Sequence, residues 1–222
     1  MDRRQLGLYL VTDSGLAEGR SLEEIVLEAV RGGVTMVQLR EKHLDTRAFI
    51  EMAIRLKKAL APFGVPLIIN DRVDVALACD ADGVHIGQSD MPYETARALL
   101  GPGKIIGLSV ENMAQVREAN ALDVDYIGVS PVFATSTKTD TARPFGIEGL
   151  RSAAEISRHP IVAIGGINAA TAPAVLAAGA DGLAVVSAIV CARSPRAAAQ
   201  QLAALLPSSP MHTLNYQPAE GR

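Results

Sequence analysis

The sequence predicts a single-domain α/β protein of the (β/α)8, or TIM-barrel, class. Short apolar runs alternate with amphipathic segments along the whole chain, as in proteins built from repeated strand–helix units. Most runs are continuous Val, Ile and Leu, which is typical of parallel strands covered on both faces. Eight such units with short connections favour a closed barrel, and 222 residues, 49% of them apolar, suffice for its core.

The predicted elements alternate in order along the chain. The strands are expected at 7–11, 35–39, 66–69, 83–86, 105–108, 126–129, 161–164 and 182–186. The helices are expected at 22–31, 47–60, 72–78, 93–100, 113–119, 148–158, 170–178 and 195–206. Ser21 and Glu24 form a capping box at the start of the first helix. We expect one catalytic domain over 1–206 and a polar, Pro-rich, disordered tail over 207–222.

Composition argues against several classes of function. The net charge is −3, only 4% of residues are aromatic and Trp is absent, so neither a basic footprint nor stacking platforms for nucleic acid are expected. The longest apolar stretch, 183–192, is far shorter than the roughly 20 residues of a membrane helix. Two cysteines and no signal-peptide pattern favour a cytoplasmic protein. The oligomeric state is left open, a homo-oligomer included.

Clustered polar residues follow the predicted strands. The apolar run 34–37 leads directly into Gln38, Leu39, Arg40, Glu41 and Lys42, which place a cation, an anion and a cation in succession. In a barrel the carboxyl ends of all strands share one face, where such enzymes keep their active sites. We therefore expect this segment to meet the polar groups that end four later strands: Asn70-Asp71, 85–90, Ser109 and 135–138.

Asp71 and Asp90 allow two interpretations. Each follows a strand, so each could cap the next helix. Together, near Arg40 and Lys42 on one rim, they are also the hard oxygen ligands that Mg²⁺ uses alongside substrate phosphate oxygens.

Three cations are candidates for binding an anion. Arg40 offers a bidentate fork, whereas Lys42 and Lys138 act as point charges. Solvated surface charge is the alternative for each. Lys138 lies in the long connection 130–146, directly after the hydroxyls of Thr135, Ser136 and Thr137, as in a loop that closes on phosphate.

A second anion site is expected after the last two strands. Gly165-Gly166-Ile167 would let backbone N–H groups approach a phosphate, and Val186-Ser187 ends the final strand. Barrels frequently bind phosphate between these two loops. Ser109 is either a helix cap or a phosphate ligand.

Two anion-binding sites at the same end of the barrel favour a metal-assisted transferase. The site with the cations and carboxylates fits a diphosphate, and the site built from backbone and hydroxyl groups fits a monophosphate. The sequence has no convincing Ser-His-Asp or Cys-His nucleophile. His85 could act as a ligand group, but it is expected to be a packed, hydrogen-bonded histidine. Glu41 is expected to orient its neighbouring cations through ion pairs.

Over about 6–206 the sequence resembles the thiamine phosphate synthase family. The resemblance rests on motifs that run in family order: Gln38-Leu39-Arg40-Glu41-Lys42, Asn70-Asp71, Asp82-Gly83-Val84-His85-Ile86-Gly87-Gln88-Ser89-Asp90, Gly107-Leu108-Ser109, Pro131-Val132-Phe133-Ala134-Thr135-Ser136-Thr137-Lys138, Ala163-Ile164-Gly165-Gly166-Ile167 and Val185-Val186-Ser187-Ala188-Ile189. It implies a TIM barrel that joins hydroxymethylpyrimidine diphosphate to thiazole phosphate by dissociative loss of diphosphate.

The resemblance also implies roles for individual residues. Mg²⁺ would be held by Asp71 and Asp90. The pyrimidine diphosphate would be bound by Gln38, Leu39, Arg40, Glu41, Lys42, Asn70, Ser109 and Lys138. Of these, the groups assigned to catalysis are Arg40, Lys42, Ser109 and Lys138. The thiazole phosphate would be bound by Thr135, Ser136, Thr137, Gly166, Val186 and Ser187.

Two other functions stay open on the sequence alone. A thiazole tautomerase shares the fold, but it would not need the whole set of cations and carboxylates. A non-catalytic sensor of phosphorylated ligands would bind without turnover.

Overall fold

A closed barrel of eight parallel strands forms the centre of the protein. The computed structural model describes residues 3–135 and 143–207. The strands pair in sequence order, and β1 also pairs with β8, which closes the barrel. They are β1 (Leu8–Val11), β2 (Met36–Leu39), β3 (Leu67–Asn70), β4 (Gly83–Ile86), β5 (Ile105–Val110), β6 (Tyr126–Val129), β7 (Ile161–Ile164) and β8 (Gly182–Val185). The predicted (β/α)8 fold is confirmed.

Helices follow the strands and cover the outside of the barrel. Those found within the described residues are α1 (Leu22–Arg31), α2 (Thr46–Leu60), α3 (Val73–Ala78), α4 (Tyr93–Leu100), α5 (Met113–Ala119), α6 (Gly146–Ile156), α7 (Ala172–Ala177), α8 (Ser187–Val190) and α9 (Pro195–Ala203). Short 3-10 turns occupy Arg3–Leu6, Ser14–Leu16 and Ala61–Phe63. None of the helices in this part of the chain is long and apolar enough to cross a bilayer.

Local hydrogen bonds explain where the helices begin. The predicted cap of α1 is confirmed, because the Ser21 side chain accepts from the Glu24 N–H. The start of α7 was predicted at residue 170 but lies at Ala172. There the Asn168 side chain accepts from the N–H groups of Ala170 and Thr171 and holds this stretch as a turn. The four-residue helix α8 was not predicted, because one turn is too short to show helical periodicity.

The ends of α6 and α9 differ from the prediction by two and three residues. Helix α6 ends at Ile156 rather than at 158 because Ser157 is extended, and its hydroxyl donates to the His159 carbonyl. Helix α9 ends at Ala203 rather than at 206. The tail boundary after residue 206 stays a prediction, since residues 208–222 lie outside the described part of the chain.

Side chains alternate between the inside and the outside of the barrel, as the strand period of two requires. Inward-facing residues form a small core of their own: Leu6, Tyr9, Val11, Met36, Ile68, Tyr126, Val162 and Ala184. Their neighbours, such as Leu8, Leu10 and Val37, pack against the helices in a larger core. Because both faces are buried, the strands read as continuous apolar runs. Polar side chains on the inside are concentrated towards the carboxyl ends of the strands, so the site lies there.

Candidate active site

A cavity of about 520 Å³ opens at the carboxyl ends of the strands. Its position is the one where TIM-barrel enzymes keep their active sites. Most of the predicted site residues that the structure describes line this one cavity: Gln38, Arg40, Lys42, Asn70, Asp71, Asp90, Ser109, Thr135, Gly166, Val186 and Ser187. Residues from β2, β3 and β5 and from the segments that follow β2, β3, β4, β6, β7 and β8 are thus brought together as expected.

The two aspartates face the cavity and do not cap helices. The residue that precedes α3 is Arg72, and the one that precedes α4 is Pro92, and neither helix has a side-chain cap. The capping interpretation of Asp71 and Asp90 is therefore wrong. Asp71 has a left-handed backbone with φ of 62°, which its N–H bond to the His85 carbonyl, at 2.8 Å, helps to hold. Strained backbone of this kind clusters at functional sites.

The carboxylates of Asp71 and Asp90 lie close to each other and to the ammonium group of Lys42. Burial raises the pKa of Asp90, and the neighbouring Asp71 carboxyl raises it further, whereas the Gly87 N–H and Lys42 lower it. Asp90 accepts from Gly87 N at 2.7 Å, and Asp71 accepts from Lys42 Nζ at 2.5 Å. Two acidic groups that repel each other are a suitable donor set for a divalent cation. No cluster of three or more metal-binding side chains occurs among the described residues.

Arg40 and Glu41, in the loop after β2, are held in place by the loop after β1. Arg40 Nη1 donates to Asp13 Oδ2 at 2.8 Å, and the Arg40 N–H donates to the buried hydroxyl of Thr12 at 3.0 Å. Glu41 accepts a hydrogen bond from Ser14. Burial raises the pKa of Glu41, and the Ser14 hydroxyl opposes this effect. Arg40 is thus fixed by the Asp13 carboxylate and Lys42 by the Asp71 carboxylate, and both residues line the cavity.

A chain of hydrogen bonds between uncharged groups crosses the floor of the cavity. Gln38 Nε2 donates to the Tyr9 hydroxyl at 2.9 Å, and the Tyr9 and Tyr126 hydroxyls lie 2.8 Å apart. His85 joins Tyr126 to Ser109, with Nδ1 3.0 Å from the Tyr126 hydroxyl and Nε2 2.8 Å from Ser109 Oγ. The expectation that His85 is packed and hydrogen-bonded is confirmed. Ser109 lies within β5 and is not a cap, since Asn112 caps α5.

The far side of the cavity is built from the loops after β6 and β7. Gly165 and Gly166 have φ of 101° and 67°, where side chains are rarely tolerated. The loop after β6 packs directly on them, since a Cβ on Gly166 would lie 2.8 Å from Phe133 Cβ. The Phe133 N–H also donates to the Gly165 carbonyl at 3.0 Å. Thr135, the last described residue before the gap in that loop, lines the cavity together with Gly166.

The short helix α8 presents Ser187 at its first turn, directly after Val186. A short extra helix after the eighth strand is where barrels frequently bind phosphate. Its carboxyl end is held from the β1 side of the barrel. The Arg20 guanidinium donates to the Ala192 carbonyl at 2.8 Å and also to the Val190 carbonyl. This contact fixes the helix relative to the loop that carries Asp13.

Not every predicted site residue reaches the cavity. The side chain of Leu39 is fully buried in the core between the barrel and the helices, so contact with a ligand is open only to its main chain. Glu41 does not line the cavity. Ser136, Thr137 and Lys138 lie outside the described residues, so their roles stay predictions. Tyr9, Tyr126 and Asp13 were missed: the tyrosines appear in the sequence as ordinary strand residues.

Comparison with known proteins gives consistent matches over most of the chain. Residues 8–189 match the family model described as thiamine monophosphate synthase. A thiamine-phosphate synthase from Albidiferax ferrireducens is 58% identical over 201 residues, which cover 90% of this chain and 92% of the relative. The thiamine-phosphate synthase of Vibrio campbellii is also 58% identical, over 199 residues that cover 90% of this chain and 97% of the relative.

A solved structure gives the same family name. The thiamine phosphate pyrophosphorylase from Pyrococcus furiosus superposes with a TM-score of 0.84 and 41% sequence identity. The match covers 91% of this chain and 96% of that protein. The similarity therefore extends over the whole barrel and includes the loops that form the cavity.

Proposed function

The chain belongs to the thiamine monophosphate synthase family, and we propose that it joins hydroxymethylpyrimidine diphosphate to thiazole phosphate, with release of diphosphate. The observation that carries this proposal is the division of one cavity into two anion-binding sides. One side has cations and a pair of carboxylates, and the other has glycine backbone and hydroxyl groups. A diphosphate and a monophosphate differ in the charge that must be neutralised, and the two sides differ in the same sense.

We assign the metal site to Asp71 and Asp90. The raised pKa of Asp90, with Asp71 beside it and Lys42 opposing, supports a site that a divalent cation would stabilise. Mg²⁺ commonly takes one or two carboxylates together with substrate phosphate oxygens, so two protein ligands suffice. Bound there, Mg²⁺ would neutralise charge on a departing diphosphate.

The diphosphate side would stabilise the leaving group. Arg40, Lys42 and Ser109 line the cavity, and Asn70 adds an amide at the end of β3. Lys138 belongs to this group by the resemblance alone. When the bond between the pyrimidine methylene carbon and the diphosphate oxygen breaks, both electrons leave with the oxygen. The contacts of the cations and of the Ser109 hydroxyl with the diphosphate would then strengthen as negative charge develops on its oxygen. An interaction that is stronger in the transition state than in the bound substrate lowers the activation barrier.

The opposite side would hold the second substrate ready to react. Thr135, Gly166, Val186 and Ser187 form a neutral wall that suits a monophosphate, and Ser136 and Thr137 would extend it. The thiazole nitrogen, positioned by this phosphate, would donate its electron pair to the pyrimidine methylene cation to form the new C–N bond. No protein nucleophile is needed, because the substrate ionises by itself and the protein supplies position and charge.

Two single substitutions test the division into two sides. Lys42→Ala is expected to raise KM for the pyrimidine diphosphate about tenfold, since it removes one charge-assisted contact, and to leave KM for the thiazole phosphate within about twofold. Ser187→Ala is expected to raise KM for the thiazole phosphate and to leave KM for the pyrimidine diphosphate within about twofold. Steady-state kinetics with each substrate varied in turn measure both constants. Equal effects of either substitution on both constants would contradict the assignment, and binding of both ligands without turnover would favour a sensor.

A further inference from the structure

The chain of hydrogen bonds on the cavity floor begins at a donor, the Gln38 amide nitrogen, and this donor favours one direction along the chain. The Gln38 amide nitrogen can only donate, so the Tyr9 oxygen accepts at that contact. Either hydroxyl could donate across the 2.8 Å between Tyr9 and Tyr126, and a head-to-tail order has the Tyr9 proton directed at the Tyr126 oxygen. In the same order Tyr126 donates to His85 Nδ1, 3.0 Å away, which requires the tautomer that leaves Nδ1 without a proton. Burial raises the pKa of both tyrosines well above the usual range, so each keeps the proton that the chain requires.

The last contact determines the orientation of Ser109. With Nδ1 accepting, neutral His85 carries its proton on Nε2 and donates it to Ser109 Oγ, at 2.8 Å. We infer that these five side chains form one directed chain, in which His85 is the Nε2–H tautomer and the Ser109 hydroxyl proton is turned into the cavity. Tyr9, Tyr126 and His85 are then positioning residues that act through Ser109.

The packing around the chain shows a built arrangement rather than a chance contact. The His85 and Tyr126 rings stack with centroids 5.5 Å apart, and Tyr9 meets Tyr126 edge-on at 5.9 Å. Gly107 makes the close approach possible, because a Cβ there would lie 2.1 Å from Tyr126 Cζ and 2.6 Å from His85 Nδ1. A Cβ at Gly128 would lie 3.1 Å from His85 Cε1. The glycines of β5 and β6 thus leave space for the rings of the hydrogen-bond chain.

The direction of the hydrogen-bond chain affects how Ser109 binds an anion, and this step rests on the proposed function. A hydroxyl whose oxygen already accepts from His85 presents its proton to the ligand, which suits an oxygen of a diphosphate. In the reverse direction Ser109 would donate to His85 Nε2 and offer only lone pairs to the anion. Gln38 would then have to turn its carbonyl oxygen towards Tyr9. The direction of the chain therefore decides whether Ser109 attracts or repels a diphosphate.

The tautomer of His85 is the direct test. Nitrogen-15 NMR of the substrate-free full chain, with labelled histidine and His85→Gln to assign the signal, distinguishes the two tautomers. The expected result is a proton on Nε2, and a proton on Nδ1 would overturn the inference. Tyr126→Phe removes the donor to Nδ1 and is expected to abolish the tautomer preference. The matched control is Tyr93→Phe, whose hydroxyl bonds the Asp123 carbonyl elsewhere, and it is expected to leave the His85 signal unchanged.

A double-mutant cycle tests whether Tyr126 acts through Ser109. With inorganic diphosphate and Mg²⁺ as the probe, Tyr126→Phe is expected to weaken binding about fivefold in the wild-type background. In Ser109→Ala the same substitution is expected to change binding less than twofold. A full fivefold loss in that background would overturn the positioning role. The NMR result stands apart from the reaction: a chain that binds diphosphate and shows the Nε2–H tautomer but forms no product would contradict only the proposed function.

Discussion

Replacing Asp71 by Asn is expected to lower the rate of thiamine phosphate formation about 10³-fold, because it removes a charged ligand of the proposed metal ion, which would neutralise the leaving group. Asn is the appropriate replacement, since the residue has φ of 62° and Asn tolerates the left-handed region. The melting temperature is expected to change by about 2 °C or less, as the side chain caps no helix. Steady-state kinetics and thermal unfolding measure the two effects.

Asp74→Asn provides the matched control. This neighbouring carboxylate pairs with Arg72 at 2.6 Å on an exposed part of the surface and does not line the cavity. The rate of the Asp74→Asn variant is expected to stay within about twofold of the rate of the unchanged protein. An exposed ion pair contributes about 1 kcal/mol or less to stability, so its loss should not disturb the fold. An unchanged rate for Asp71→Asn, together with a lower melting temperature, would show that Asp71 serves the fold rather than the reaction.

Gly107→Ala is expected to destabilise the barrel by about 3 kcal/mol and to remove most of the activity. The added methyl group would lie 2.1 Å from Tyr126 Cζ, and the ring is fully buried, so strand or ring must move. Either movement breaks the contact between Tyr126 and His85. For a chain of this size the melting temperature should fall by roughly 6–12 °C.

Alanine substitutions at two other glycines provide comparisons for the Gly107→Ala variant. Gly103 has open space where a Cβ would be added, so Gly103→Ala is expected to leave stability and rate nearly unchanged. At Gly128 the nearest atom, His85 Cε1, would lie 3.1 Å away, and the expected loss is intermediate. Equal stability of the Gly107 and Gly103 variants would contradict the close packing of the floor.

The fold was predictable because its signals are local and repeated. Each strand is an apolar run buried on both faces, and the first helix begins at a capping residue, so periodicity and caps placed the elements. The convergence of Arg40, Asp71 and Asp90 followed from topology alone, since parallel strands end on one face. The end of α6 and the start of α7 were less predictable, because they depend on hydrogen bonds of single side chains, Ser157 and Asn168.

The floor of the cavity was not predictable from the sequence. Tyr9 and Tyr126 are 117 positions apart, and their contact depends on barrel closure and on which strand residues face inward. A strand tyrosine has the same pattern whether its hydroxyl meets a partner or solvent. The glycine at 107, which makes space for a ring on another strand, is likewise uninformative until the register is known.

The coupling reaction itself gives the most direct test of the proposed function. The two phosphorylated substrates are mixed with the full chain, and thiamine phosphate and diphosphate are quantified with Mg²⁺ and with excess EDTA. The predicted result is equal amounts of both products with Mg²⁺, none when either substrate is omitted, and a loss of about 10³-fold in rate with EDTA. Undiminished turnover in EDTA would contradict the metal site, and absence of product with Mg²⁺ would contradict the proposed reaction.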